Sequence, residues 1–271
     1  MPELPEVETT VRGLERILNG ERIASLVTRR ADLRRPFPEG LAQAMTGAQI
    51  TGLGRRAKYG LIHTDRDQSL IFHLGMSGRW RIEPDELGPH DHLVIETARG
   101  HRLALCDPRR FGSVDLVGTG SMESWPPFAA LGPEPLGEGF TAGHLCQALS
   151  GRSAAIKLML LDQRIVAGLG NIYVCEALFR AGIDPRKAAG RVSRAAIDRL
   201  VPQVQAVLLE AIEAGGSSLR DYARPDGELG YFSKRFDVYD REGQPCVRDG
   251  APIRRIVQGG RSTWFCGKCQ K

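Results

Sequence analysis

The first residues of the chain include the residue types that covalent chemistry on a sugar requires. Once Met1 is removed, Pro2 begins the chain with a free secondary amine, and Glu3 and Glu6 follow closely. An N-terminal amine has a pKa of about 8, against about 10.4 for lysine, so part of it is neutral and nucleophilic at working pH. Attack on a sugar carbon gives a Schiff base, which for a secondary amine is a charged iminium. The pattern is therefore compatible with covalent catalysis through Pro2.

The same segment is also typical of an ordinary helix start. Pro5 has the position that proline favours at the beginning of a helix, and acidic residues in a first turn complement the helix dipole. Apolar residues then recur at helical spacing at Val7, Val11, Leu14 and Leu18. These residues alone leave both interpretations open.

Four residues near the C-terminus have almost the spacing of a zinc ribbon. Cys246 and Asp249 form the first pair, and Cys266 and Cys269 follow after sixteen residues. A structural zinc needs four ligands and favours sulfur and histidine, although an aspartate oxygen also binds it. We predict one Zn²⁺ per chain with Asp249 as the fourth ligand. A metal-free or weakly binding ribbon is the alternative, because Asp249-Gly250 is also a strong hairpin signal.

The C-terminal segment carries the excess positive charge of the chain. Residues 233–271 contain nine Lys or Arg against four Asp or Glu, a net charge of +5, which equals the formal net charge of the whole chain. Such a cluster suits a polyanion such as nucleic acid, with a solvated basic surface as the alternative. Arg261 follows two glycines that form a natural hairpin tip. A guanidinium at such a tip can bind a phosphate through two hydrogen bonds.

Composition indicates a globular protein with room for two domains. The 271 residues are 42% hydrophobic and 25% charged, which is ordinary for such proteins. No apolar run has the length of a membrane span, and the start lacks the pattern of a signal peptide. Cys106, Cys146 and Cys175 occur singly, which favours a reducing compartment over a disulfide framework. We expect a cytoplasmic protein.

The order of predicted elements is strands first and helices second. Residues 23–117 contain short apolar segments between Gly, Pro and Asp turns, which predicts a β-sandwich or barrel. The spacing of apolar residues predicts helices further along the chain. These are residues 154–161, 171–181 and 193–214. The segment from Phe236 onward is predicted to form two small hairpins.

Motifs along the whole chain together resemble the formamidopyrimidine-DNA glycosylase family, bacterial enzymes that remove oxidised purines from DNA. In chain order they are PELPEVET at the start, RRAKYG at 55–60, HLGMSG at 73–78, HDH at 90–92, DPRRFG at 107–112, LGPEPL at 131–136, GLGNIY at 168–173, GGSSLRD at 215–221 and QGGRSTWFCGKCQ at 258–270. The PELPEV opening favours this family over its endonuclease VIII relatives, which prefer oxidised pyrimidines.

The resemblance implies which residues do the chemistry. Pro2 would attack C1′ of the damaged nucleotide and displace the base, and the resulting iminium would promote β- and then δ-elimination. Glu3 matches the general acid/base of the family and Glu6 a supporting carboxylate. Lys58 matches a phosphate ligand beside the lesion, where its charge also stabilises developing negative charge. We expect Arg261 to act in catalysis as well as in DNA binding.

The resemblance also implies how a damaged base is reached inside a duplex. Such an enzyme extrudes the nucleotide, and apolar side chains with an arginine fill the space that is left. Met76, Arg109 and Phe111 match this wedge, although Met76 and Phe111 taken singly would be core residues by default.

Further residues match DNA contacts of the family. Lys157 and Asn171 match the phosphate ligands of its helix–two-turn–helix motif, where glycines precede a helix N-terminus. Arg220 lies in the segment that matches the loop closing over the extruded base. His73 and His92, in the HLGMSG and HDH motifs, complete the predicted DNA ligands.

We therefore predict an α+β protein with three segments. Residues 1–134 are expected to form an N-terminal helix with a catalytic β-sandwich, and residues 135–235 a helix–two-turn–helix domain with the closing loop. Residues 236–271 are expected to form a zinc-finger-like hairpin, and DNA is expected to lie between the β-sandwich and the helical domain.

The predicted function is that of a bifunctional DNA glycosylase and AP lyase of base excision repair. The expected substrate is double-stranded DNA with 8-oxoguanine or formamidopyrimidines, bound by a monomer in the bacterial cytoplasm at the nucleoid. One alternative is an endonuclease VIII-like preference for oxidised pyrimidines. The other is a non-catalytic protein that binds damaged DNA, which would require Pro2 to be blocked by a retained Met1.

Overall fold

The computed structural model describes residues 2–217 and 232–271, with the backbone alone for Lys234. Contacts divide the chain into two compact units, Met1–Ala129 with Ala214–Tyr231 and Ala130–Glu213 with Phe232–Lys271. The finer division into three segments stays a prediction. Among the residues described, no helix combines the length and apolar character needed to cross a membrane.

The first unit begins with helix α1 (Leu4–Leu18). Its start follows the sequence signals, because Pro5 lies in the first turn and Glu3 and Glu6 form a capping box. Buried residues repeat along one face, including Val7, Val11, Leu14 and Leu18. The helix therefore packs its apolar face against the core of the first unit, and the chain terminus lies at the N-terminal end of the helix.

Two antiparallel sheets form the rest of this unit in the described part of the chain. Its strands are β1 (Ile23–Thr28), β2 (Ile50–Arg56), β3 (Tyr59–Thr64), β4 (Gln68–His73), β5 (Arg79–Ile82), β6 (Asp91–Thr97), β7 (Arg102–Cys106) and β8 (Ser113–Gly118). The strand orders are β1-β6-β7-β5 and β2-β3-β4-β8. Short helices lie at α2 (Leu41–Met45) and α3 (Pro126–Ala129), and a 3₁₀ turn at Thr119–Ser124.

A common hydrophobic core joins the two sheets and α1. Phe72 of β4 and Trp80 of β5 come from different sheets, and their ring centroids are 5.5 Å apart. Leu14 of α1, Ile62 of β3 and Leu105 of β7 belong to the same buried cluster. The predicted N-terminal helix with a β-sandwich is therefore confirmed.

The second unit is mainly helical and ends in a hairpin. Its elements are α4 (Ala142–Leu149), α5 (Ile156–Leu161), α6 (Asn171–Ala181), α7 (Arg194–Glu213), β9 (Arg254–Gln258) and β10 (Arg261–Phe265), with 3₁₀ turns at Ala189–Arg191 and Phe232–Arg235. The three predicted helices agree with α5, α6 and α7 within two residues at each end. The α+β class is confirmed. Of the two predicted hairpins, the first is reduced to a turn closed by the bridge between Pro245 and Pro252.

Candidate active site and nucleic-acid interface

Pro2 and Glu3 are buried at the start of α1, where a capping box fixes Glu3. The Glu6 carboxylate accepts the backbone N–H of Glu3 at 2.9 Å, and the Glu3 carboxylate accepts the backbone N–H of Glu6. Glu3 is 2% exposed and Glu6 1%. The helix cap therefore fixes the predicted acid/base, which directly follows the predicted nucleophile in the chain, so the two interpretations of this segment are compatible.

The other oxygen of Glu6 makes a contact that the sequence did not indicate. Its Oε1 accepts both the backbone N–H and the hydroxyl of Ser217, each at 2.8 Å. Ser217 is the last described residue before residues 218–231, and it lies 211 positions from Glu6. A separation of this size leaves no local pattern to detect. Glu6 thus ties the start of α1 to Ser217, while the predicted base contact Arg220 lies outside the described residues.

Lys58 lies on a tight turn between β2 and β3 and is only 8% exposed. Ala57 before it has a φ of +52°, a left-handed conformation that is uncommon for residues other than glycine. The Arg55 guanidinium donates to the carbonyl of Ala57 at 3.0 Å and to the Glu8 carboxylate at 2.9 Å. Arg55 and Glu8 therefore connect the Lys58 turn with α1.

The ion pair between Glu8 and Arg55 is partly enclosed. Burial alone raises the pKa of Glu8, but hydrogen bonds and charges from Arg12 and Arg55 outweigh it, so the pKa is lowered overall. Neither member of this pair was predicted from the sequence. The available signal was the position of Arg55 in the RRAKYG motif, which alone names no partner.

His73 ends β4 and faces Tyr59 of β3, with ring centroids 5.0 Å apart. Its Nδ1 accepts the backbone N–H of Gly75 at 3.0 Å, so the ring proton of the neutral form lies on Nε2. Burial, together with the positive charges of Lys58, Arg34 and Arg35, lowers the pKa of His73 to about 4. His73 is therefore a neutral donor next to a group of cations.

This environment predicts a specific loss of stability in acid. An unfolded histidine has a pKa of about 6.5, so between that pH and about pH 4 the unfolded chain takes up a proton that the folded His73 does not. The free energy of unfolding should fall as the pH drops through this range, by ~2 kcal/mol for this residue at pH 5. Chemical denaturation at pH 7 and pH 5 measures the fall. The His73→Gln variant, whose amide cannot titrate, should lose less unfolding free energy between pH 7 and pH 5. An equal loss in the variant and the wild type would contradict the lowered pKa of His73.

The predicted wedge residues occupy two adjoining turns of the first unit. Met76 is half-buried on the turn after β4, while Arg109 and Phe111 are exposed before β8. Phe111 is 47% exposed, and the Arg109 guanidinium lies 4.9 Å from the centroid of its ring. Phe111 is therefore not a core residue, in contrast to the default expectation for an isolated phenylalanine.

His92 lies beside this wedge but is 4% exposed. Its Nε2 donates to the backbone carbonyl of Asp107 at 3.0 Å. The structure thus gives His92 a supporting contact within the protein, and its predicted contact with DNA stays a prediction.

In the second unit, Lys157 and Asn171 converge on β10. The Lys157 ammonium donates to the carbonyl of Ser262 at 2.9 Å and to the hydroxyl of Thr263 at 2.6 Å. Asn171 donates through Nδ2 to the same carbonyl at 2.9 Å. Both side chains therefore fix the strand next to Arg261.

The burial of Lys157 differs from its predicted role as a phosphate ligand. Its side chain is fully enclosed, at 0% exposure. A buried ammonium needs hydrogen-bond partners, and β10 provides them. In this structure Lys157 supports the hairpin and does not present its charge to solvent.

Arg261 is exposed at the tip of the β9–β10 hairpin, as predicted. Gly259 and Gly260 form the turn with φ values of +54° and +73°, and Arg261 pairs directly with Gln258 across it. This conformation is the one that a two-residue hairpin turn requires, and it is favourable for glycine. The guanidinium thus projects from a short, well-defined tip.

The predicted zinc ligands come together in the second unit. One ligand atom from each of Cys246, Asp249, Cys266 and Cys269 lies within 4.8 Å of all the others. The Sγ atoms of Cys246 and Cys269 are 3.8 Å apart, and Cys266 Sγ lies 3.3 Å from Asp249 Oδ2. Tetrahedral zinc with bonds of about 2.3 Å to sulfur and 2.0–2.2 Å to oxygen requires ligand separations of about 3.5–3.8 Å. The observed 3.8 Å agrees with this range and the 3.3 Å is slightly shorter, and three thiols with one carboxylate are donors that zinc binds, so the donor set fits Zn²⁺.

Asp249 combines the two roles that the sequence left open. Its Oδ1 accepts the backbone N–H of Ala251 at 2.9 Å, which closes the turn at Gly250. Its Oδ2 faces the sulfur of Cys266. The hairpin turn thus orients the carboxylate so that it lies beside the sulfur of Cys266, where it would serve as the fourth ligand.

A buried carboxylate that was not predicted from the sequence anchors the approach to this ribbon. Glu176 of α6 is fully buried and accepts the backbone N–H groups of Asp237, Val238 and Tyr239 at 2.8–3.0 Å. Burial raises its pKa, which the three hydrogen bonds offset in part. A single glutamate in an apolar helix is a recognisable signal of a buried partner, but the partner is 61–63 residues away.

Three family models match the chain in succession. Residues 1–114 match the formamidopyrimidine-DNA glycosylase N-terminal domain, and residues 131–223 match the formamidopyrimidine-DNA glycosylase H2TH domain. Residues 243–271 match a zinc finger found in FPG and IleRS. Together with the ligand cluster around Cys266, the last match confirms the predicted zinc site.

Full-length relatives and solved structures agree with these matches. The chain is 70% identical to a formamidopyrimidine-DNA glycosylase of Erythrobacter litoralis, with 100% of both chains covered. The MutM (Fpg) protein of Thermus thermophilus superposes with a TM-score of 0.90 at 39% identity, covering 99% of this chain and 98% of that one. The Lactococcus lactis Fpg in complex with DNA containing N7-benzyl-Fapy-dG superposes with a TM-score of 0.92 at 37% identity, with 100% of both chains covered.

Proposed function

Because the chain belongs to the formamidopyrimidine-DNA glycosylase family, we propose that it excises oxidised purines from double-stranded DNA and then cleaves the abasic site. Its substrates are 8-oxoguanine and formamidopyrimidines, and its place is base excision repair. The observation that supports this most directly is the start of α1, where Pro2 is buried and the capping box with Glu6 orients the carboxylate of the adjacent residue, Glu3.

Pro2 is the proposed nucleophile once Met1 has been removed. Its nitrogen forms a bond to C1′ of the damaged nucleotide as the N-glycosidic bond breaks, and the departing base takes up a proton. The resulting iminium acidifies the hydrogen on C2′. Loss of that proton expels the 3′ phosphate, and a second elimination expels the 5′ phosphate. Both strand ends are thus released from one sugar.

Glu3 and Lys58 are the proposed partners of Pro2. Glu3 protonates the ribose oxygen as the ring opens and moves protons during the eliminations, which its position beside the nucleophile allows. Lys58 binds the phosphate next to the lesion and stabilises negative charge there. The strained Ala57 and the Arg55 contact orient the Lys58 turn for this purpose.

DNA binding is proposed to use residues from both units. In the first unit, Met76, Arg109 and Phe111 fill the space left by the extruded nucleotide, and His73 donates through Nε2 to a phosphate. In the second unit, the exposed Arg261 binds a phosphate bidentately. Asn171 and His92 are further proposed DNA ligands, and Arg220 is proposed to contact the extruded base.

Zn²⁺ has a structural role in this proposal. When bound by Cys246, Asp249, Cys266 and Cys269 it stabilises the ribbon, and it supplies no chemistry to the sugar. The ribbon in turn presents Arg261. We further propose that the protein acts as a monomer in the bacterial cytoplasm, where its DNA substrate forms the nucleoid.

The decisive experiment is borohydride trapping on a duplex with one 8-oxoguanine, followed by peptide mapping of the adduct. We expect a covalent adduct on Pro2 and an intact mass that lacks Met1. An adduct on another side chain would overturn the proposed chemistry, and binding without any adduct would favour the non-catalytic alternative. A panel of duplexes with formamidopyrimidine, thymine glycol or 5-hydroxycytosine separates the purine preference from an endonuclease VIII-like one.

A further inference from the structure

Asp107 has a buried carboxylate that contacts both turns of the wedge. It is 1% exposed. Its Oδ1 accepts the hydroxyl of Ser77 at 2.9 Å, and its Oδ2 accepts the backbone N–H of Gly112 at 2.8 Å. Ser77 directly follows Met76, and Gly112 directly follows Phe111. Each oxygen of one carboxylate therefore fixes the residue next to a different wedge side chain.

The backbone of Asp107 adds two further connections. Its carbonyl accepts Nε2–H of His92 at 3.0 Å, and its N–H donates to the carbonyl of His90 at 2.9 Å. Ser77 in turn accepts the backbone N–H of Arg109 at 3.3 Å. Three motifs that are separate in the sequence, HLGMSG, HDH and DPRRFG, thus meet at this aspartate.

The two turns contain unusual backbone geometry where they approach each other. Arg110 has a φ of +57°, which is unfavourable for a side chain of its size. Gly75 has a φ of +61°, and a Cβ added to it would lie 2.3 Å from the carbonyl carbon of Phe111. The turns therefore approach each other backbone to backbone, and one of them has a strained residue, Arg110, next to the residue that is approached.

We propose that Asp107 is the positioning residue of the wedge, which holds Met76 and the Arg109–Phe111 pair at a fixed separation before DNA binds. The inference rests on the proposed function, because it assigns a task to the same site. A carboxylate is suited to this task, since its two oxygens accept two donors and its charge strengthens both hydrogen bonds. Holding the wedge in advance lowers the entropy that would otherwise be lost when it enters the duplex.

The test compares two substrates that differ only in the need for extrusion. Asp107→Asn and Ser77→Ala are assayed on a duplex with 8-oxoguanine beside 2-aminopurine, whose fluorescence reports unstacking, and on a single-stranded oligonucleotide with a preformed abasic site. Ser69→Ala is the matched control, because Ser69 is a fully buried serine of β4 that is hydrogen-bonded to His63 and Thr119, away from the wedge. Thermal unfolding shows that each variant is folded.

We expect Asp107→Asn to slow extrusion and duplex excision by at least about 10-fold, with a smaller loss for Ser77→Ala, which removes one of the two hydrogen bonds. Cleavage of the single-stranded abasic site should fall far less, and Ser69→Ala should match the wild type on both substrates. If Asp107→Asn does not fold, the comparison of the two substrates with Ser77→Ala alone tests the inference. Unchanged extrusion in a folded variant, or equal losses on both substrates, would overturn the inference. Failure of the wild type on the abasic site would instead refute the proposed function.

Discussion

Glu3→Gln is expected to lower the rate of base excision from an 8-oxoguanine duplex by about 10²–10⁴-fold, the range for loss of a general acid. The variant should still form a borohydride-trapped adduct at a preformed abasic site, because Pro2 is unchanged and no base has to leave. Glutamine still has a side-chain oxygen to accept the backbone N–H of Glu6, so the start of α1 should persist.

Single-turnover kinetics on the two substrates measures this separation. Glu15→Gln is the matched control, since Glu15 is an exposed carboxylate on the same helix. It should behave as the wild type does on both substrates. Full excision activity in Glu3→Gln would remove the residue from the proposed mechanism. Equal loss of both reactions would instead indicate that Glu3 supports only the fold of the terminus.

Cys266→Ser is expected to abolish stoichiometric zinc binding and to reduce affinity for the lesion duplex by at least about 100-fold, because the ribbon that presents Arg261 loses its metal. Cys266 is fully buried between the ligand cluster and the core of the ribbon. Burial, together with the neighbouring sulfurs, raises the pKa of the Cys269 thiol to about 12, so without the metal this thiol stays protonated at neutral pH. The thiolate form of Cys269 therefore depends on the cation.

Elemental analysis and a duplex titration provide the two measurements. Cys146→Ser is the control, because Cys146 is a partly exposed thiol on α4 outside the cluster. Asp249→Cys completes a four-sulfur site and should retain zinc against a chelator better than the wild type, by about 10-fold or more. Zinc content that is unaffected by Cys266→Ser would contradict the assigned ligand set.

Local sequence rules were sufficient for α1, for the three helices α5, α6 and α7 and for the second hairpin of the ribbon, whereas the short helices α2, α3 and α4 were not predicted. The start of α1 follows from Pro5 and the Glu3–Glu6 spacing, and the hairpin tip from Gly259-Gly260, because each signal acts within a few residues. The zinc ligands were also predictable. They lie in two close pairs that a ribbon brings together, so their spacing contains most of the geometry.

Contacts between residues far apart in the chain could not be predicted from the sequence. Periodicity indicates which face of a strand or helix is buried, but it does not name the residue that a buried polar group will meet. Lys157 was predicted as a phosphate ligand, but it is buried and donates to Ser262 and Thr263, more than 100 positions away. Glu6 and Ser217 are separated further still.

Motifs and local patterns in the sequence were enough to assign the family, the residue types available for chemistry and the succession of a strand-rich and a helical part. Only the tertiary structure showed that Asp107 joins three motifs and that Arg55 connects α1 with the Lys58 turn. The physical reason is that buried carboxylates and guanidinium groups require partners, and the packing of the whole unit decides which partners are within hydrogen-bond distance.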